Sequence, residues 1–187
     1  MTLPPSSILG AAYGVSELCL TLTRRSRRDS ISKDRSSLAL LWSAILASIG
    51  LGVFLTFALP AWALPQASRF CVLGLVLFAL GLLLRWFSII YLGHFFTTNV
   101  AIAADHQLID AGPYRFIRHP SYAGALLAFV GLGLCLGNLA SLSVLVVPIF
   151  FAFLWRMKVE EKALIEALGE RYRAYMQQTK RLIPFVF

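Results

Sequence analysis

Charge is scarce in this 187-residue chain: 14% of it is Asp, Glu, Lys or Arg, and 58% is hydrophobic. An ordinary soluble domain has about 25% charged and roughly 45–50% apolar residues, so a soluble globular protein is excluded. Acidic residues are the scarcer sign, 9 against 17 basic ones, for a formal charge of +8. In so apolar a chain that surplus serves membrane orientation and not nucleic-acid binding. Cysteine is nearly absent: Cys19, Cys71 and Cys135 lie inside apolar runs with no CxxC and no histidine at ligand spacing, and read as packing residues without redox information. The three histidines, His94, His106 and His119, are 12 and 13 positions apart and lack cysteine or paired carboxylates nearby, which argues against a metal site. No internal repeat or low-complexity tract occurs.

What the chain does have is apolar length. A hydrocarbon core of about 30 Å takes roughly 20 helical residues at 1.5 Å each. Leu38 to Leu59, stopping at Pro60, and Phe70 to Leu92, with Arg85 embedded, meet that length. Tyr122 to Gly137 and Leu139 to Trp155 are 16 and 17 residues and form a helical hairpin through Gly137-Asn138, so their helices must run past the apolar stretch or tilt little. A weaker run, Ile8 to Leu22, is interrupted by Ser16 and Glu17. Basic residues follow it instead of preceding it, as they would in a signal peptide, so it is read as an uncleaved anchor. The fold class is therefore all-α: a polytopic helical membrane protein with about five transmembrane helices and a C-terminal amphipathic cytosolic helix. Residues 1–69 form a two-span region with a basic loop. Residues 70–187 form the core, with spans three to five, the loop 93–121 and the C-terminal helix 156–187.

Fifteen of the 17 basic residues fall in the first loop, the loop 93–121 and the stretch from Arg156 onward, which alternate spans put on one side. That side is cytoplasmic and the N-terminus is outside. The cluster from Arg24 to Arg35 is a topology signal with anionic-lipid contact. A small, basic, short-loop chain suggests a prokaryotic inner membrane.

Function is sought in the two cytoplasmic stretches. Loop 93–121 is too apolar for a free linker and too polar for a span, so it should line a cavity. Asp110 to Pro113 is a turn signal that brings Tyr114 back toward the next helix. Pro120 suits the first position of that helix and puts His119 at the cap. A helix N-terminus beside Arg118 attracts anions, either a ligand carboxylate or, through Arg115 and Arg118, a lipid headgroup. In the C-terminal stretch, Met157, Leu164, Ile165, Leu168, Tyr172, Tyr175 and Met176 form one stripe of an amphipathic helix continuing from the last span. Arg156 and Glu160 share a flank, as in a surface salt bridge or a paired binding site. Glu161 falls within the apolar stripe and needs either a protein cation or a cationic ligand.

The string Gly112-Pro113-Tyr114-Arg115-Phe116-Ile117-Arg118-His119-Pro120-Ser121-Tyr122-Ala123-Gly124 closely resembles the isoprenylcysteine carboxyl methyltransferase family. So do Arg156 with Glu160-Glu161, Leu164, Gly169, Tyr172 and Tyr175, the tail Arg181 to Pro184, and the upstream Leu84-Arg85-Trp86 and Leu92 to Phe96. The resemblance runs from about residue 70 onward, is shared loosely with phospholipid N-methyltransferases, and leaves the first two spans generic. It implies a helical membrane enzyme that binds S-adenosylmethionine in a cytosolic-side pocket closed by the C-terminal segment, without a glycine-rich βαβ fingerprint. Carried over position by position, cofactor contacts fall on His106, Gln107, Leu108, Ile109, Tyr114, His119, Pro120, Ser121, Tyr122 and Glu160. Glu161 is the second choice for the carboxylate. Asn99 stands where the eukaryotic enzymes carry glutamine, and Arg156 faces the methyl acceptor.

The residue types suit that chemistry. A carboxylate acceptor is already ionised and needs no general base, so positioning supplies most of the catalysis. Arg156 can orient it through a planar fork, Glu160 can meet an ammonium, and the His119 helix terminus can hold a carboxylate. A lipid-like acceptor would enter from the bilayer and the cofactor from the cytosol. The competing readings are a lipid-amine acceptor, a nicotinamide-dependent sterol-reductase-like enzyme, and a non-enzymatic membrane protein.

Overall fold

The computed structural model describes residues 5–23, 36–96 and 108–187, and within them it is helical, with no strand beyond two isolated bridges. In order these are α1 (Pro5–Thr23), α2 (Ser36–Ala58), α3 (Ala67–Leu92), α4 (Pro120–Leu136), α5 (Leu139–Leu168) and α6 (Glu170–Gln178). Among the described residues three stretches are long and apolar enough to cross a membrane, Leu38–Ala58, Ala67–Leu92 and Leu139–Leu168, with Ser6–Leu20 and Pro120–Leu136 as shorter apolar helices. Large apolar side chains such as Phe54, Phe57, Leu83, Ile90, Phe151 and Trp155 stay exposed, which suits faces turned to lipid.

Helix α5 settles how the short last run is accommodated: at 30 residues it is about 45 Å long and continues past a 30 Å core. The single amphipathic helix expected over 156–187 is corrected. α5 ends at Leu168, Gly169 turns the chain at φ +58°, α6 takes nine residues, and the remainder is extended or turn. Only glycine adopts that conformation readily.

The closest packing joins α3 to α4 through glycines seven residues apart on each helix, Gly74 and Gly81 against Gly124 and Gly131. A Cβ built on Gly81 would stand 2.5 Å from the Ala128 nitrogen, and one on Gly124 would stand 2.6 Å from the Arg85 nitrogen. The two backbones touch, as small residues allow between membrane helices. α5 lies on the other side of α4, where Phe129, Leu145, Ile149, Phe153 and Met157 are buried together, and α2 adds Leu41 and Ile45. The hairpin of α4 and α5 is fixed at its turn. Asn138 Oδ1 caps α5 by accepting from the Ser141 N–H at 3.1 Å, and its Nδ2 donates to Leu59 O at 2.8 Å.

Ser16 and Glu17, which the sequence presents as interruptions of a weak span, are attachment points of α1. Glu17 pairs with Arg85, Ser16 Oγ accepts from Trp86 Nε1 at 2.8 Å, and Tyr13 lies against Phe129 with ring centroids 4.6 Å apart.

Candidate active site

The first turn of α4 and the outer half of α5 gather the charged residues. Gly112, at φ +58°, begins a short 3-10 turn, because a Cβ there would stand 2.5 Å from the Tyr91 ring. The turn buries Tyr114 and brings it within electrostatic range of Glu160 and of Tyr122 on α4. Its hydroxyl donates to Ser88 O at 3.2 Å, and its carbonyl accepts from the Tyr175 hydroxyl at 2.6 Å. Burial pushes the Tyr175 phenol up to about 12, so it remains a donor at neutral pH.

His119 caps α4 and Pro120 occupies its first turn, as the sequence implies. The anion drawn to this helix start is the protein's own. Arg118 Nε donates to Glu161 Oε1 at 3.0 Å, His119 Nε2 lies 3.3 Å from the same oxygen, and Arg181 Nη2 donates to Glu161 Oε2 at 2.6 Å. The Glu161 side chain is 4% exposed. Arg118 is thus spent on Glu161 and main-chain carbonyls instead of a headgroup or an open anion site, and of the two choices left for Glu161 the structure takes the protein cation. Arg118 also donates through Nη1 to Met176 O and Thr179 O, while Arg115 stays exposed. The Glu161 hydrogen bond raises the Arg181 guanidinium above its ordinary value, against a smaller effect of burial.

The C-terminal segment completes the knot by lying along residues 117–119. Ile117 and Lys180 form a parallel bridge, the Arg118 N–H donates to Lys180 O at 2.7 Å, and the His119 N–H donates to Arg181 O at 3.0 Å. Two amides just ahead of the helix, those of Arg118 and His119, are thereby taken by main chain.

Glu160 faces a different environment. Its side chain keeps 32% exposure, its Oε2 accepts from the Tyr122 hydroxyl at 2.9 Å, and His119 Nδ1 is 3.9 Å away. Tyr122 is stacked between His119 and Phe153, at centroid distances of 5.5 and 5.0 Å. Arg156, 4% exposed, lies beside the Tyr122 hydroxyl, so Arg156 and Glu160 meet at one phenol.

The structure thus brings together Tyr122, Arg156, Glu160, Glu161, His119, Pro120 and Ser121. Leu108 and Ile109 are half-buried, and Tyr114 bonds to α3 and α6 while lying within electrostatic range of Glu160 and Tyr122. Asn99, His106 and Gln107 lie outside the described residues. Among the described residues no group of three or more His, Cys, Asp or Glu could hold a metal. Sequence reasoning missed Arg181, Glu17, Arg85 and Thr179 as participants. The signal for Arg181 was the demand of Glu161 for a cation, and the signal for Glu17 was a carboxylate inside an apolar run.

Fold and site together define a polytopic helical membrane protein whose ionised groups collect at one end of its helices. The chain belongs to the isoprenylcysteine carboxyl methyltransferase family, whose profile matches residues 72–166. Protein-S-isoprenylcysteine O-methyltransferase B of Arabidopsis thaliana is 36% identical over 115 residues, 60% of this chain and 58% of that protein. The Saccharomyces cerevisiae protein-S-isoprenylcysteine O-methyltransferase is 35% identical over 136 residues, 71% of this chain and 57% of that one. A solved eukaryotic intramembrane Ras methyltransferase of the isoprenylcysteine carboxyl type superposes with a TM-score of 0.71 at 25% identity, covering 100% of this chain and 70% of its own. The chain thus spans somewhat more than half the length of these two curated relatives.

Proposed function

We propose that this protein is an integral membrane methyltransferase that moves a methyl group from S-adenosylmethionine to the carboxylate of an isoprenylcysteine or similar lipid-like acceptor. The observation that carries this reading is the split of the two adjacent carboxylates. Glu161 is closed under Arg118, Arg181 and the His119 ring, whereas Glu160 is oriented by Tyr122, stays partly open and stands beside a buried arginine. A half-open carboxylate of that kind fits the ammonium of an amino-acid-like ligand. His119 Nδ1 lies close enough to serve a neighbouring carboxylate, since the two groups share one carbon in such a ligand. The cation and anion sites are therefore neighbours. Pro120, Ser121, Leu108 and Ile109 are assigned to the walls of that pocket, with Asn99, His106 and Gln107 carried over from the resemblance.

When bound, S-adenosylmethionine supplies an electrophilic methyl on a sulfonium. The protein's own work is binding and alignment: Glu160 holds the cofactor end, Arg156 presents a planar fork to the acceptor carboxylate, and no side chain has to remove a proton. Arg156 lies one helical turn before Glu160 on α5, nearer the apolar stretch, which suits an acceptor arriving from lipid. We read residues 70–187 as the methyltransferase core, five helices as spanning, and the site as cytoplasmic with the N-terminus outside. The relatives compared above are eukaryotic, so a prokaryotic inner membrane rests only on short loops and basic charge.

The test is a titration of detergent-purified protein with S-adenosylmethionine and its demethylated product, followed by methyl transfer to a prenylcysteine analogue and to lipid amines. Binding of both nucleosides with methylation of the carboxylate is expected. Methylation of the amines alone would move the acceptor to phospholipid type, and no binding would overturn the reading.

A further inference from the structure

Two ionised groups meet at membrane depth on helices that the family match divides: Arg85 lies within residues 72–166, and Glu17 on α1 lies outside them. Arg85 donates from Nε to Glu17 Oε1 at 2.6 Å and from Nη2 to Oε2 at 2.8 Å, and both residues are only 7% exposed. Arg85 stands seven residues before the end of α3, about 10 Å along the helix axis. Charges at such depth are costly, and an apolar pair of similar volume would stabilise packing as well or better. The use of the pair therefore lies in its geometry.

The geometry lies in the remaining arm of the fork. Arg85 Nη1 donates to Ser121 O at 3.3 Å, in the first turn of α4. Ser121 precedes Tyr122, the residue that orients Glu160 and lies beside Arg156. Two arms locked on one carboxylate leave the third no rotational freedom, so Glu17 holds the guanidinium against the first turn of α4. The Trp86 to Ser16 hydrogen bond repeats the crossing one residue along each helix and holds α1 in register.

We propose that Glu17 is a positioning residue of the methyl-transfer site. By locking Arg85 it fixes the first turn of α4 and, through Tyr122, the facing of Glu160 and Arg156. This rests on the reading under Proposed function, and it makes α1 part of the functional unit and not a generic anchor. A lysine at position 85 keeps the charge, but one ammonium cannot hold both carboxylate oxygens and the Ser121 carbonyl in a fixed plane.

The experiment compares wild type, Arg85→Lys, Glu17→Gln, Glu17→Asp and the control Arg69→Gln, whose exposed side chain bonds only locally to Gln66. Binding-competent molecules are counted by titration with S-adenosylhomocysteine. Methyl transfer to a prenylcysteine analogue is then measured per competent molecule at saturating cofactor. Arg85→Lys and Glu17→Gln are expected to lower kcat per competent molecule by roughly tenfold or more, as small misplacements do, with a smaller weakening of cofactor affinity from the misaligned Glu160. Arg69→Gln should match wild type. A purely structural pair would give fewer competent molecules, each turning over at the wild-type rate, and that result overturns the proposal. If neither main variant yields competent protein, Glu17→Asp decides, because it keeps the charge and shortens the reach: lowered turnover per molecule supports the role and unchanged turnover ends it. Failure of the wild type to bind or methylate would instead strike the underlying reading.

Discussion

Glu160 and Glu161 differ in what surrounds them and not in chemistry, and their substitutions should separate cleanly. Removing the charge of Glu161 leaves Arg118 and Arg181 without the carboxylate that neutralises them. Glu161→Gln is therefore expected to destabilise the fold by about 3 kcal/mol, the scale for breaking a buried pair, and calorimetry should show the lowered melting temperature. In molecules that remain folded, cofactor affinity should be unchanged. Glu160→Gln should do the reverse: the melting temperature holds, while S-adenosylmethionine affinity measured by calorimetric titration falls by roughly tenfold or more, the effect of a lost charge-assisted contact. Arg156→Lys should leave cofactor affinity within about threefold and lower methyl transfer by roughly a hundredfold, because a planar fork orients a carboxylate and an ammonium does not. Radiolabel transfer to a prenylcysteine analogue reads that difference directly.

Among the elements, α3 and α4 are the pair that tolerates least. A side chain at Gly124 has no flexible neighbour to displace, since its Cβ would meet the Arg85 nitrogen and the Gly81 carbonyl oxygen. Gly124→Val is expected to part the two helices or prevent folding, at more than the roughly 1–3 kcal/mol of ordinary overpacking, and size-exclusion chromatography in detergent should show aggregation. Gly10 on α1 has open space around its Cβ position. Gly10→Ala should raise stability by up to about 1 kcal/mol through helix propensity alone. The contrast separates glycines kept for close approach from glycines that merely occur in a helix.

At the scale of the whole molecule, the turn at 59–66 and the α4–α5 turn are joined by Leu64 N–H to Gly137 O at 2.8 Å, at the end of α4 opposite the charged knot. The orientation follows as a test: in a background without native cysteines, Ala61→Cys should react with an impermeant maleimide from outside, and Arg173→Cys only after permeabilisation. Labelling of both from one side would contradict the basic-residue asymmetry. Helix positions were legible in the sequence because apolar length and the punctuation by Pro60, Gly137 and Pro120 are local signals. The partnerships were not. Arg85 and Glu17 are 68 positions apart, and nothing local in either run names the other. For Glu161 the sequence stated the need for a cation but could not choose among a ligand, Arg118 and Arg181. The break at Gly169 was hidden because the apolar stripe continues on both sides of it.

Helices whose backbones touch at four glycines cannot slide or tilt by small steps, so α3 and α4 travel as one rigid strut. Among the described residues, breathing near Glu160 falls to the segment after α6, which is fastened to residues 118 and 119 by two main-chain hydrogen bonds and to Glu161 by Arg181. That segment is expected to act as a latch. Amide hydrogen exchange should find the Arg118 and His119 N–H groups opening on a timescale at which the amides along the strut from Gly124 to Gly131 are still fully protected.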